Sequence, residues 1–166
     1  LAILEGKTVI MVSDVIQAYR LKYFLTKFTL KAFVLAPDMP KAQISSILHY
    51  YNIGQFDTVI MLHQGYAKRP VLKDISNVIN FDMPPSYNHY KEAAMQITDD
   101  VGSVLSLPMA NNQEDLGALS LLQKKFIKNF GQSNLLKCLP VLWQELCKSK
   151  SRVESVVNFL SNKTVQ

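Results

Sequence analysis

Cysteine and histidine are both scarce in this chain. The two cysteines, Cys138 and Cys147, have neither the spacing of a zinc site nor the number needed for a disulfide framework. A reducing compartment fits them. The three histidines, His49, His63 and His89, are far apart and show no H-x-x-x-H or H-E-x-x-H spacing, so each reads as a structural or surface residue rather than a metal ligand. No apolar run reaches the roughly 18 residues of a membrane span, and no secretory leader opens the sequence. G-x-x-x-x-G-K-[ST] and G-x-S-x-G are both absent. The chain therefore does not hold a phosphate-binding Walker loop or a nucleophile elbow of its own. No metal and no cofactor are expected. The first residue is Leu1, not Met, so the sequence reads as a piece of a longer protein.

What is present describes a globular fold. The 166 residues are 48% hydrophobic and 19% charged, enough length and apolar content for one sizeable core and too little charge for a disordered chain. A net charge of +5 permits nucleic-acid binding without requiring it.

Short apolar runs alternate with helical patterns. Lys7 to Val12, Ala32 to Leu35, Asp57 to Leu62, Ser76 to Phe81 and Ser103 to Leu107 read as strands, rich in β-branched residues and nearly continuous in hydrophobicity, as strands covered on both faces are. Ser13 or Asp14 can cap the first helix, with Gln17 placed like the far end of a capping box; Ala18, Leu21, Leu25 and Phe28 form its apolar stripe. Pro40 starts a second helix and Gly54 ends it. Residues 63 to 74 read as a loop. Pro84 and Pro85 stop the fourth strand, since neither can donate to a ladder, and Ser86 can cap the helix that follows. Asn111 or Asn112 caps a long helix with Leu116, Leu119, Leu122, Phe126 and Ile127 on one side. Strands joined by helices of this length imply a three-layer α/β domain with a mostly parallel sheet of five or six strands. Two parts are expected, residues 1–132 and a helical extension at 133–166. The extension carries an apolar stripe of Val153, Val156, Val157 and Leu160.

The ordered motifs resemble the second RecA-like domain of DEAD-box RNA helicases. Thr8 to Ser13 is similar to that family's L-I-F-V-x-T/S, Asp38-Met39-Pro40 to its L-H-G-D-M-P turn, Gly54 to Ile60 to G-x-F-D-V-L-I, and Val78 to Tyr90 to its strand-P-P-x-Y-x-H-Y turn, which leads into the helix of the arginine fingers. Ala18 to Leu25 is closest to the branch linked to assembly of the large ribosomal subunit. The positions that carry the family's chemistry depart from it. Lys41 to Ile44 stands where Q-x-x-R touches RNA, and Met61-Leu62-His63 stands for A-T-D. The nucleotide-binding R-G-x-D has no counterpart, although Arg69 lies nearby. The arginines of the finger motif are replaced by Ala93, Gln96 and Asp99. An arginine finger is worth about 10³–10⁵ in rate, and none of these three residues carries positive charge.

The expectation drawn from this is a degenerate helicase-like domain that is not an enzyme and serves as an interaction or scaffold module in an RNA-related assembly. By resemblance the compartment is nuclear or nucleolar. Its candidate partner surface is Leu62, His63, Ala93 and Met95 at the sheet edge, with Val153, Val156, Val157 and Leu160 on the tail. Candidate RNA contacts are Lys124, Lys125 and Lys128 in one basic patch and Lys148, Lys150 and Arg152 in another. Two alternatives stand beside this reading: a sequence-independent RNA-binding module, and the C-terminal half of a divergent ATP-dependent RNA helicase.

Overall fold

A computed structural model describes residues 5–98, 102–108 and 112–130. In chain order the elements are β1 (Lys7–Val12), α1 (Val15–Lys27), β2 (Ala32–Leu35), α2 (Lys41–Asn52), β3 (Thr58–Leu62), β4 (Ile75–Asn80), α3 (Tyr87–Ala94), β5 (Ser103–Ser106) and α4 (Gln113–Phe130). The five strands form one sheet in the order β2-β3-β1-β4-β5, and every neighbouring pair is parallel. The α/β architecture expected from the sequence is the one observed. Two compact units are distinguished, Leu1–Leu119 and Ser120–Gln166; the sheet and α1 to α3 belong to the first.

Strand periodicity decides which helix covers which face. Val9 and Met11 of β1 point to one side, where they meet Val59, Met61, Val78, Tyr51 of α2 and Ala93 of α3. Ile10 and Val12 point to the other, where they meet Ile60, Ile79 and the Ala18, Leu21, Leu25 stripe of α1. The sheet is thus covered by α1 on one face and by α2 and α3 on the other, which explains why β1 and β3 read as nearly unbroken apolar runs.

The helix ends follow their capping chemistry, with two departures. Asp14 caps α1, its Oδ1 accepting from the Gln17 amide at 2.8 Å. The Gln17 side chain turns instead to the end of β4, where its Nε2 donates to Asp82 Oδ1 at 2.8 Å, a bond strengthened by the charge of the carboxylate. Phe28 also departs from its expected place in the stripe. It follows the last helical residue and turns outward against Phe24, with ring centroids 4.8 Å apart. Gly54 ends α2 with φ +76°, its N–H donating to Tyr51 O while the Gln55 N–H reaches back to Tyr50 O, both at 3.0 Å; only glycine adopts that backbone at low cost. Asn112 is the residue that caps α4, its Oδ1 accepting from the Glu114 amide at 2.9 Å.

The edge strand β5 is held by side chains as well as by its ladder. Asn77 faces Ser103 and Asn80 faces Ser106 in the β4–β5 register. Asn77 accepts from Ser103 Oγ at 2.7 Å and donates to Glu5 O at 2.8 Å. Asn80 donates to Ser106 Oγ at 3.0 Å, and its Oδ1 is buried without a partner among the described residues. A one-residue slip of β5 would break both pairs and turn its side chains over. Losing a buried hydrogen bond while leaving its partner unsatisfied costs about 1–3 kcal/mol. Asn77→Ala is expected to fall near the top of that range and Asn80→Ala near the bottom, since Asn77 satisfies both ends of its amide and Asn80 only one. Urea unfolding of the two variants measures this; equal midpoints for both variants and the wild type would show that the clamps hold nothing.

Candidate site at the carboxyl edge of the sheet

In an open parallel sheet, ligands bind outside the carboxyl ends of the strands, where neighbouring connections leave in opposite directions. Here β1 leads through α1 towards β2, and its neighbour β4 leads through α3 towards β5. The crevice so defined lies at Ser13, His63 and Asp82, the residues that follow β1, β3 and β4.

Asp82 ties this edge together. Its Oδ2 accepts from the Ser13 amide at 2.7 Å and its Oδ1 from the Gln17 side chain. Its backbone carbonyl lies 3.0 Å from His63 Nε2. A carbonyl only accepts, so Nε2 carries the proton and Nδ1 is left as a lone-pair acceptor. That Nδ1 is buried without a partner among the described residues. The His63 amide in turn donates to Val12 O at 3.0 Å. With its residue 1% exposed, the imidazole is held neutral: burial lowers its pKa first, the Asp82 carbonyl and carboxylate oppose this, and Arg69 and His89 lower it further.

The β3–β4 connection folds back over the same edge. Gly65 has φ +98°, and a Cβ there would stand 3.0 Å from Pro37 Cγ, so the loop needs glycine to approach the segment after β2. The Tyr66 hydroxyl donates to Leu35 O and accepts from the Leu62 amide; burial raises its pKa above the usual phenol value. Arg69 Nη2 donates to His63 O at 2.6 Å, and the guanidinium lies 5.6 Å from the Tyr66 ring centroid. Its Nη1 is buried with no partner among the described residues.

The residues singled out from the sequence are not brought to one exposed surface. His63 and Ala93 lie in the interior, Leu62 is half-buried, and Met95 is 71% exposed. Position 93, matched to an arginine of the family, packs in the core formed with Val9, Met11 and Val78. At Gln96, also matched to an arginine, both side-chain atoms Nε2 and Oε1 are buried without a partner among the described residues. Lys124, Lys125 and Lys128 fall within α4, but their side chains are outside the description; Asp99, Lys148, Lys150, Arg152, Val153, Val156, Val157 and Leu160 lie outside the described residues. Sequence reading missed Asp82 and Tyr66 as organising residues. Among the described residues no group of three metal-ligating side chains converges, and no helix is long and apolar enough to cross a membrane.

A buried neutral histidine makes stability pH-dependent. Its folded pKa lies below the unfolded value of about 6.5, so the unfolded chain binds the extra proton first. Its contribution is present above pH 6.5 and is lost as pH falls towards the folded pKa. The urea midpoint is expected to drop between pH 7.5 and 5.5. His63→Gln, which keeps a donor for Asp82 O but does not titrate, is expected to flatten that drop, and an unchanged slope would show that His63 is not its source.

No family model matches the chain. The ATP-dependent RNA helicase DBP9 of Yarrowia lipolytica is 25% identical over 170 residues, covering 81% of this chain and 31% of the relative. The protein of the same name from Schizosaccharomyces pombe is 31% identical over 81 residues, covering 49% of this chain and 13% of the relative. The chain thus spans less than a third of the length of these relatives. Among solved structures, the C-terminal domain of S. cerevisiae Dbp5 bound to Gle1 and IP6 aligns with TM-score 0.62 at 19% identity, covering 75% of this chain and 71% of that one. The E. coli DEAD-box protein SrmB bound to RraA aligns with TM-score 0.65 at 19% identity, covering 72% and 69%. The expectation that the chain is not an enzyme is overturned here, because the relatives it matches are named ATP-dependent RNA helicases. The missing arginines at positions 93, 96 and 99 describe those three positions alone. The chain has the fold of a DEAD-box C-terminal RecA-like domain and is related in sequence to the DBP9 helicases.

Proposed function

We propose that this chain forms the C-terminal half of an ATP-dependent RNA helicase, with the carboxyl edge of its sheet turned towards RNA and nucleotide. The observation that supports this most is the match to a DBP9 helicase across 81% of the chain, joined to a sheet order that opens its crevice between β1 and β4. In such a protein the edge built around Asp82 and His63 supplies rigidity, since the Asp82 carboxylate holds the Ser13 amide and the Gln17 side chain while its carbonyl accepts from the His63 ring. Arg69 supplies a guanidinium oriented by the His63 carbonyl.

Gln96 takes the place of an arginine that faces the transferred phosphoryl group in the family. A neutral amide can donate one hydrogen bond to a phosphoryl oxygen but adds no charge, so its stabilisation of the transition state is smaller than that of a guanidinium. The resemblance also favours a nucleolar setting and work within an RNA assembly. The bound proteins in the Dbp5 and SrmB structures support use of this domain as a binding surface for other proteins as well.

The full-length protein is expected to hydrolyse ATP faster when single-stranded RNA is added. The Gln96 amide is buried in the described domain, so Gln96→Arg is expected to raise turnover towards the about 10³–10⁵ that an arginine finger is worth only if this site opens onto the phosphoryl group. A folded full-length protein without RNA-stimulated turnover would refute the helicase reading. An active enzyme indifferent to Gln96→Arg would instead show that this position does not face the phosphoryl group.

A further inference from the structure

α1 is apolar on two opposite sides. One side, Ala18, Leu21 and Leu25, is buried against the sheet. The other exposes Ile16 (62%), Tyr19, Tyr23 (67%), Phe24 (57%) and Phe28. Ile16, Tyr19 and Tyr23 stand at i, i+3 and i+7, the spacing of a single helical stripe. Phe24, one residue past Tyr23 and so about 100° further round the helix, starts a second exposed row with Phe28; large exposed apolar residues gathered on one helix are of the kind that marks an interface.

The charges set among them have one sign. Arg20, Lys22 and Lys27 lie in α1, which contains no Asp or Glu. Among the described residues the ion pair found is Lys7 with Asp74, so none of these three cations is neutralised by a carboxylate of the described chain. From the coincidence of the apolar stripe with unneutralised cations we infer that the outer face of α1 docks an acidic amphipathic segment of another protein.

RNA would also be attracted to the cations, but the rings are arranged against it. Base stacking needs a free aromatic face. Lys27 Nζ lies over the Tyr23 ring, 4.9 Å from its centroid, and Phe28 meets the Phe24 ring at 4.8 Å with a 55° tilt, so each of these two rings already has one side engaged. Ile16 offers no face at all. An apolar ridge with cations beside it matches a helix that carries leucine or aromatic anchors and glutamate or aspartate around them. This surface belongs to α1, and its use does not depend on ATP turnover.

The test uses the full-length protein and a fluorescently labelled helical peptide with leucine and tryptophan on one face and glutamate elsewhere. Its controls are a twin peptide with lysine for every glutamate and a single-stranded oligouridylate. Fluorescence anisotropy is expected to show saturable binding of the acidic peptide and not of its basic twin. The paired change Tyr23→Ser and Phe24→Ser is expected to weaken binding at least ~10-fold, the loss typical of an interface hot spot. Lys27→Glu is expected to weaken it too, and as a surface charge reversal it decides the matter if the paired variant does not fold. No binding, equal binding of the basic twin, indifference to these substitutions, or displacement of the peptide by oligouridylate would each overturn the proposal.

Discussion

A single carboxylate holds the working edge of this domain in shape. Asp82 receives the Ser13 amide and the Gln17 side chain on its two oxygens, while its own carbonyl takes the proton of His63. The three groups come from the ends of β1, the first turn of α1 and the end of β3, so one residue after β4 fixes the relative height of three strands. Charge-assisted bonds of this kind are short and strong compared with neutral ones. The loop that follows β3 is then laid on a firm base, and Arg69 is oriented by the carbonyl of a histidine that is itself tied down. A site assembled from rigid strand ends and anchored loops is the arrangement on which preorganised binding depends.

The two faces of the sheet have different tasks. α2 and α3 close one face with Tyr51 and Ala93 in its core. α1 closes the other face with a narrow stripe of Ala18, Leu21 and Leu25 and keeps its remaining bulk outside.

The architecture was legible in the sequence because strands buried on both faces leave an unbroken apolar trace, and helix caps at Asp14 and Ser86 are local in sequence. The edge was not legible for the opposite reason. Ser13 and Asp82 are 69 residues apart and Gln17 and Asp82 are 65 apart, so no window of sequence contains both partners. Gln17 accordingly reads as part of a cap, and Asp82 as part of the turn that leads from the fourth strand to Pro84 and Pro85. Phe28 satisfies the helical spacing but falls just past the helix, where the spacing no longer determines direction. The three positions without arginine were readable as residues, yet what they mean depends on the rest of the protein; taking their missing charge as proof of a non-enzyme went further than three side chains allow.

β1 is paired on both sides along its length and is covered on both faces. Its amide protons therefore sit behind every other element of the fold. Fraying has to begin at β2 or β5, the strands with one neighbour each, and exchange with solvent should reach β1 only when the whole sheet opens. Opening of either margin therefore leaves β1, which carries the Ser13 end of the crevice, still paired on its other side.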